Sequence, residues 1–168
     1  VNLLLRQIRQ DRWHEIENAW FGGDDIQADA VSDLRSTENK LSFWRIFADQ
    51  TNLDLVITGI SSGFELEDPF DFALIHEQHV VDAGFKIIPS AANTVLKEAN
   101  RFHVDIIELT GNTLVKLSKI IMDCEKERYL QPQIWSLLAK GIQRKLFALD
   151  DLRTKKIRKE VEYYLNEL

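Results

Sequence analysis

Phe70-Asp71-Phe72-Ala73-Leu74-Ile75-His76-Glu77-Gln78-His79-Val80-Val81-Asp82-Ala83-Gly84-Phe85-Lys86-Ile87-Ile88-Pro89 is the stretch on which the fold class turns. Its ends, 70–75 and 85–88, are short runs of aromatic and aliphatic residues with the composition of strands. Pro89 ends the second run, because proline has no N–H to give a sheet. Only nine residues separate the two runs. A parallel crossover ordinarily takes a dozen or more, so an antiparallel pair is expected.

Upstream, Leu41-Ser42-Phe43-Trp44-Arg45-Ile46-Phe47 reads as a strand. Thr51 or Asn52 can then cap a helix carrying Leu53, Val56, Ile57 and Ile60, which Ser61-Ser62-Gly63 ends. At the start of the chain Leu3, Leu4, Leu5 and Ile8 can open a strand. Trp13, Ile16 and Trp20 recur at helical spacing, which predicts a helix over 11–20, broken at Phe21-Gly22-Gly23-Asp24. A second helix over 25–35 places Ile26, Ala30 and Leu34 on one face.

Downstream, 91–101 reads as a short helix with Val95, Leu96 and Ala99 inward, and 103–109 as a strand or the lead-in to a helix. Thr110, Asn112 and Thr113 suit a helix start, and Leu114, Leu117, Ile121 and Cys124 form its apolar stripe. Residues 124–130 read as a charged connector, and Pro132 suits the first turn of the next helix. Ile134, Leu138, Ile142, Leu146 and Leu149 make one stripe. Ile157, Val161, Tyr164 or Leu165, and Leu168 make another. Two helices broken near Ala148-Leu149-Asp150 account for both, as a hairpin on the body or a projecting arm.

The expected architecture is therefore α+β: a small, mainly antiparallel sheet packed by helices over 1–125, with a helical C-terminal element over 131–168. The 168 residues, 45% apolar and 29% charged, suffice to bury about two-thirds of the unfolded surface without a metal or disulfide staple. The single cysteine fits a reducing compartment, and a cytoplasmic location is expected. No apolar run approaches the ~20 residues of a membrane span, and no basic leader precedes a long apolar stretch at the start.

The net charge of −6 is unevenly spread. Residues 1–139 hold 13 Lys/Arg and 22 Asp/Glu, whereas 140–159 hold eight basic and two acidic residues. The acidic body disfavours nucleic acid as a partner. The basic stretch, Lys140, Arg144, Lys145, Arg153, Lys155, Lys156, Arg158 and Lys159, flanks an apolar stripe that contains Ile142. It is either the polar face of an amphipathic helix or a contact surface for an acidic protein.

Other constellations are weaker. His76-Glu77-Gln78-His79 is not the H-E-x-x-H of zinc proteases; on a helix its i, i+3 rings could converge on a metal, but because the pair follows a strand, the odd spacing is expected to send the rings to opposite faces. His103-x-Asp105 shares one strand face, as a His–carboxylate pair requires. Joined to His76 or His79 it would make a zinc-type ligand set. Asp25, Asp29 and Asp33 stack on one helix face and read as a solvated surface. Thr110-Gly111-Asn112-Thr113 reads as a plain helix cap, and Cys124 as a buried, inert thiol.

No cofactor and no structural metal are expected. The leading expectation is a non-catalytic interaction or regulatory module that binds a protein partner, or a second copy, through the C-terminal helices. The alternative is a metal-dependent hydrolase-type enzyme using His76, His79, His103 and Asp105. The third is nucleic-acid binding through the basic helices.

Overall fold

The computed structural model describes residues 2–13, 25–63 and 69–167. In chain order these form β1 (Leu3–Ile8), α1 (Ala28–Asp33), β2 (Leu41–Ile46), α2 (Leu53–Ser62), β3 (Phe70–His76), α3 (Glu77–Asp82), β4 (Lys86–Pro89), α4 (Lys97–Asn100), β5 (His103–Ile107), α5 (Gly111–Met122), β6 (Glu125–Tyr129), α6 (Gln131–Gln143) and α7 (Lys155–Glu167). The strands make one sheet in the order β4-β5-β2-β1-β3-β6, and all neighbours are antiparallel. The fold is α+β with a helical C-terminal element, as the sequence leads one to expect.

β1 is central, and helices cover both its faces. That is why Leu3-Leu4-Leu5 is continuously apolar instead of alternating. Leu3, Leu5, Ile46, Phe70, Phe72 and Leu74 point to one face, where they meet apolar residues of α2, α4, α6 and α7. Leu4, Ile8, Phe43, Ala73, Ile75, Val104 and Ile106 point to the other, against α1, α3 and α5.

The apolar runs 70–75 and 85–88 both contribute strands, β3 and β4, but these do not pair. β3 lies between β1 and β6, and β4 is the far edge strand beside β5. Counting antiparallel steps along the sheet, β3 and β4 run in the same direction. The nine residues between 75 and 85 include α3, which packs with Val80 buried in the second core, and they lead to an edge strand that does not neighbour β3.

Two further expectations are corrected. Residues 124–130 are not a connector, because Glu125–Tyr129 is edge strand β6, paired with β3. Its charge is what an edge strand needs to discourage pairing with other chains. Arg128 forks onto Asp71 at 2.6 and 3.0 Å, and Tyr129 packs edge-on against Phe72. Over 91–101 only Lys97–Asn100 is helical. The Asn100 side chain instead ties the preceding segment down, accepting from the Thr94 N–H and hydroxyl and donating to the Thr94 carbonyl. Leu96 and Ala99 do point inward.

The predicted helix over 11–20 and the turn at Phe21-Gly22-Gly23-Asp24 fall outside the described residues beyond a short 3-10 turn at Gln10–Arg12. The helix over 25–35 is shorter than expected, at Ala28–Asp33, with Ala30 and Leu34 fully buried. α5 starts with a reciprocal cap in which Thr110 and Thr113 each accept the other's backbone N–H.

The C-terminal helices are a hairpin laid on the body. Ile134 and Leu138 of α6 and Ile157 and Val161 of α7 are buried in the same core as Leu5 and Phe72. Trp135, near the start of α6, lies 6.1 Å from Tyr164, near the end of α7, so the two helices run antiparallel. Gly141 permits the turn to close. A Cβ there would stand 2.7 Å from the Phe147 ring.

Candidate functional site

The antiparallel hairpin brings the end of α6 and the beginning of α7 together, and this gathers the basic stretch at one end. Lys140, Arg144 and Lys145 are exposed there, as are Arg153, Lys155, Lys156 and Lys159. The group divides chemically. Arg158 turns back to the Leu152 and Asp150 carbonyls at 2.8 and 2.7 Å, and Arg153 reaches the Gly63 carbonyl at 3.3 Å. These two arginines fasten the hairpin. Lys140, Arg144, Lys145, Lys155 and Lys159 have no carboxylate partner among the described residues. Lys140 also rims a shallow hollow of about 450 Å³ beside Tyr129 and Asp54. On α7, Lys156, Lys159 and Tyr163 follow at three- and four-residue steps and so share the outward face. Tyr163 is 59% exposed. Ile142, expected in the contact surface, is half-buried and packs onto the core.

The four candidate site residues of the sheet fall into two pairs. His76 ends β3 and serves as the N-cap of α3, and His79 sits one turn later. The strand gives way to helix within the motif, so the rings do not diverge as a continuous strand would require. Their centroids are 5.1 Å apart. Both imidazoles are exposed, and neither has a hydrogen-bond partner among the described residues. They line a cleft of about 670 Å³ with Leu3, Gln50, Asp123, Cys124 and Glu125. Asp123 is the C-cap of α5, so the negative end of that helix dipole opens beside the cleft. Lys126 satisfies the Met122 and Cys124 carbonyls there, at 2.6 and 3.2 Å. Cys124 lies past the end of α5 and is half-buried, whereas full burial on the helix stripe was expected. Burial pushes its thiol up to about 11. Its Sγ donates to the Ile121 carbonyl at 3.0 Å.

His103 and Asp105 lie on β5, with β2 and β1 between them and β3. They share a face as expected but do not join His76 and His79. His103 Nδ1 contacts Ser90 Oγ at 2.8 Å, and its ring meets the Trp44 ring edge-on. Burial holds its pKa below the ordinary imidazole value, against the opposing pull of Asp105. Asp105 accepts from Ser42 Oγ at 2.9 Å. Among the described residues no three His, Cys, Asp or Glu side chains are grouped to hold a metal ion.

The acidic series also divides, which corrects its reading as a solvated face. Asp25 and Asp29 are exposed, but Asp33 is buried. One Asp33 carboxylate oxygen accepts from the Arg9 N–H and from Trp13 Nε1, both at 2.8 Å. Arg6, beside it, donates to the Ser42 and Leu34 carbonyls, and burial lowers its guanidinium to about 10. That value still leaves it charged at neutral pH.

The cleft partners Asp123, Glu125 and Gln50 carry no sequence signal, because only the antiparallel sheet brings them to His76. Tyr163 had a signal, since it lies in register with the α7 lysines. No helix among the described residues is long and apolar enough to cross a membrane. No family model, curated protein or solved structure matches the chain.

Proposed function

We propose that this chain is a non-catalytic protein-interaction module that presents the basic end of its C-terminal hairpin to an acidic protein surface. One observation carries this reading. Lys140, Arg144, Lys145, Lys155 and Lys159 are exposed and have no carboxylate partner among the described residues, on a chain whose net charge is −6. Like charges gathered in this way repel one another, and the repulsion is relieved when an anionic surface covers them. Tyr163 beside the lysine row supplies the amphipathic ring that interfaces favour.

An acidic protein suits the patch better than nucleic acid does. The remainder of the molecule is acidic and would repel a long polyanion, and no aromatic residue lies within 153–159. Each exposed ion pair contributes only about 0–1 kcal/mol, so the contact would be fast to form and sensitive to salt.

The test titrates fluorescently labelled polyglutamate with the parent protein and with a Lys155→Glu/Lys156→Glu/Lys159→Glu variant. The reading expects saturable binding at low salt that the triple variant loses while its melting temperature is unchanged. Equal binding by both proteins would refute it, and tighter binding to single-stranded DNA of the same charge would favour the nucleic-acid alternative. Sedimentation equilibrium of the chain alone shows whether a second copy is the partner.

A further inference from the structure

The His76–His79 pair has no part in the interaction reading, and its geometry has a specific chemical meaning. We infer that the two imidazoles form an open, two-nitrogen site for a borderline divalent transition metal such as Zn²⁺, Ni²⁺, Co²⁺ or Cu²⁺. Three observations converge on this.

The first is spacing. A metal bonds imidazole nitrogen at about 2.0–2.1 Å, and the ring centroid lies roughly 1.1 Å further out. Two rings on one tetrahedral ion therefore have centroids about 5.1–5.2 Å apart. The observed separation is 5.1 Å. The pair is held near that spacing by its own backbone, since His76 is the N-cap of α3 and His79 its third residue. The Glu77 N–H donates to the Asn2 carbonyl, and the Glu77 carboxylate is forked by Arg45, so this turn is pinned to β1 and β2.

The second is availability. The two rings have no hydrogen-bond partner among the described residues, in contrast to His103, whose Nδ1 is occupied by Ser90. Free imidazole nitrogens on exposed rings can turn a lone pair toward a metal at little cost.

The third is the field. Asp123 and Glu125 line the same cleft, and the carbonyl end of α5 opens beside it, which favours a cation. Lys126, the nearby cation, is occupied with backbone carbonyls. Two nitrogen ligands select borderline transition ions over Mg²⁺ and Ca²⁺, which require oxygen donors. Two protein ligands also leave at least two coordination positions for water or another molecule, within a cleft of about 670 Å³.

The experiment is calorimetric titration of the tag-free, metal-stripped protein with Zn²⁺ and, separately, Ni²⁺. About one equivalent should bind. His76→Gln and His79→Gln should each weaken that binding at least tenfold, and His103→Gln should leave it unchanged. Circular dichroism of each variant confirms the fold, which two exposed side chains should not disturb. Failure to saturate near one equivalent, or binding unaffected by either His76→Gln or His79→Gln, would overturn the inference.

Discussion

Leu138→Ala tests whether the C-terminal hairpin is built into the core. Leu138 is 0% exposed and lies among Leu5, Phe72 and the buried residues of α2 and α7. The substitution removes three carbons, which at ~0.8 kcal/mol each is about 2.4 kcal/mol of transfer free energy. The α6 backbone is held on one side by α2 and on the other by α7, so the vacated space cannot fully collapse. The cavity then adds to the transfer cost, and the total falls within the roughly 2–5 kcal/mol seen for buried leucines. In a chain of this size that is a drop in Tm of about 5–15 °C. Urea unfolding followed by far-UV circular dichroism measures it, and the parent and variant should each unfold in a single transition. A loss below about 1 kcal/mol, or a separate early transition carrying only part of the helical signal, would refute the packing argument.

Four other side chains carry further expectations. Asp33→Ala strips acceptors from the Arg9 N–H and Trp13 Nε1 and leaves Arg6 without its adjacent carboxylate, so it should cost at least about 2 kcal/mol in the same urea assay. Asp29→Ala, on the exposed side of α1, should change stability by less than about 0.5 kcal/mol. Burial of His103 favours its neutral form, so the fold binds fewer protons than the unfolded chain just below pH 6.5 and stability should rise with pH there. His103→Gln should flatten that acid-side loss in melts from pH 5 to 7.5, and an unchanged slope would count against the assignment. With its thiol at about 11 instead of 9.0, Cys124 holds about 100-fold less thiolate at pH 8, so native reaction with a thiol reagent should be slow and become fast in denaturant.

Periodicity revealed the elements, and long-range pairing decided what they do. The apolar runs at 41–46, 70–75 and 103–107 are strands, and the stripes from Leu114 and Ile134 are helices, because burial on one face leaves a period in the chain. Three features escaped that logic for physical reasons. β6 has the composition of a loop because an edge strand is selected for charge as well as for burial. The partner of β3 was not legible, because β1 competes for it over six paired positions, more than a four-residue β4 provides. Asp33 reads as surface until its carboxylate is seen to satisfy Trp13 and Arg9 from a distant part of the chain. For the candidate sites, local spacing carried the basic row through Lys156 and Lys159. The meeting of His76 and His79 depended on where the strand ended within their motif, which spacing alone does not fix.

The basic end of the hairpin is proposed as the contact surface. Its most direct test is a two-dimensional ¹⁵N–¹H NMR titration of the labelled protein with polyglutamate at low salt. Chemical-shift changes should concentrate at the end of α6 and on the outer face of α7, around Lys140, Arg144, Lys145, Lys155, Lys159 and Tyr163, and fade as salt is added. Shifts centred instead on β5 and its neighbours, or an unchanged spectrum, would contradict it.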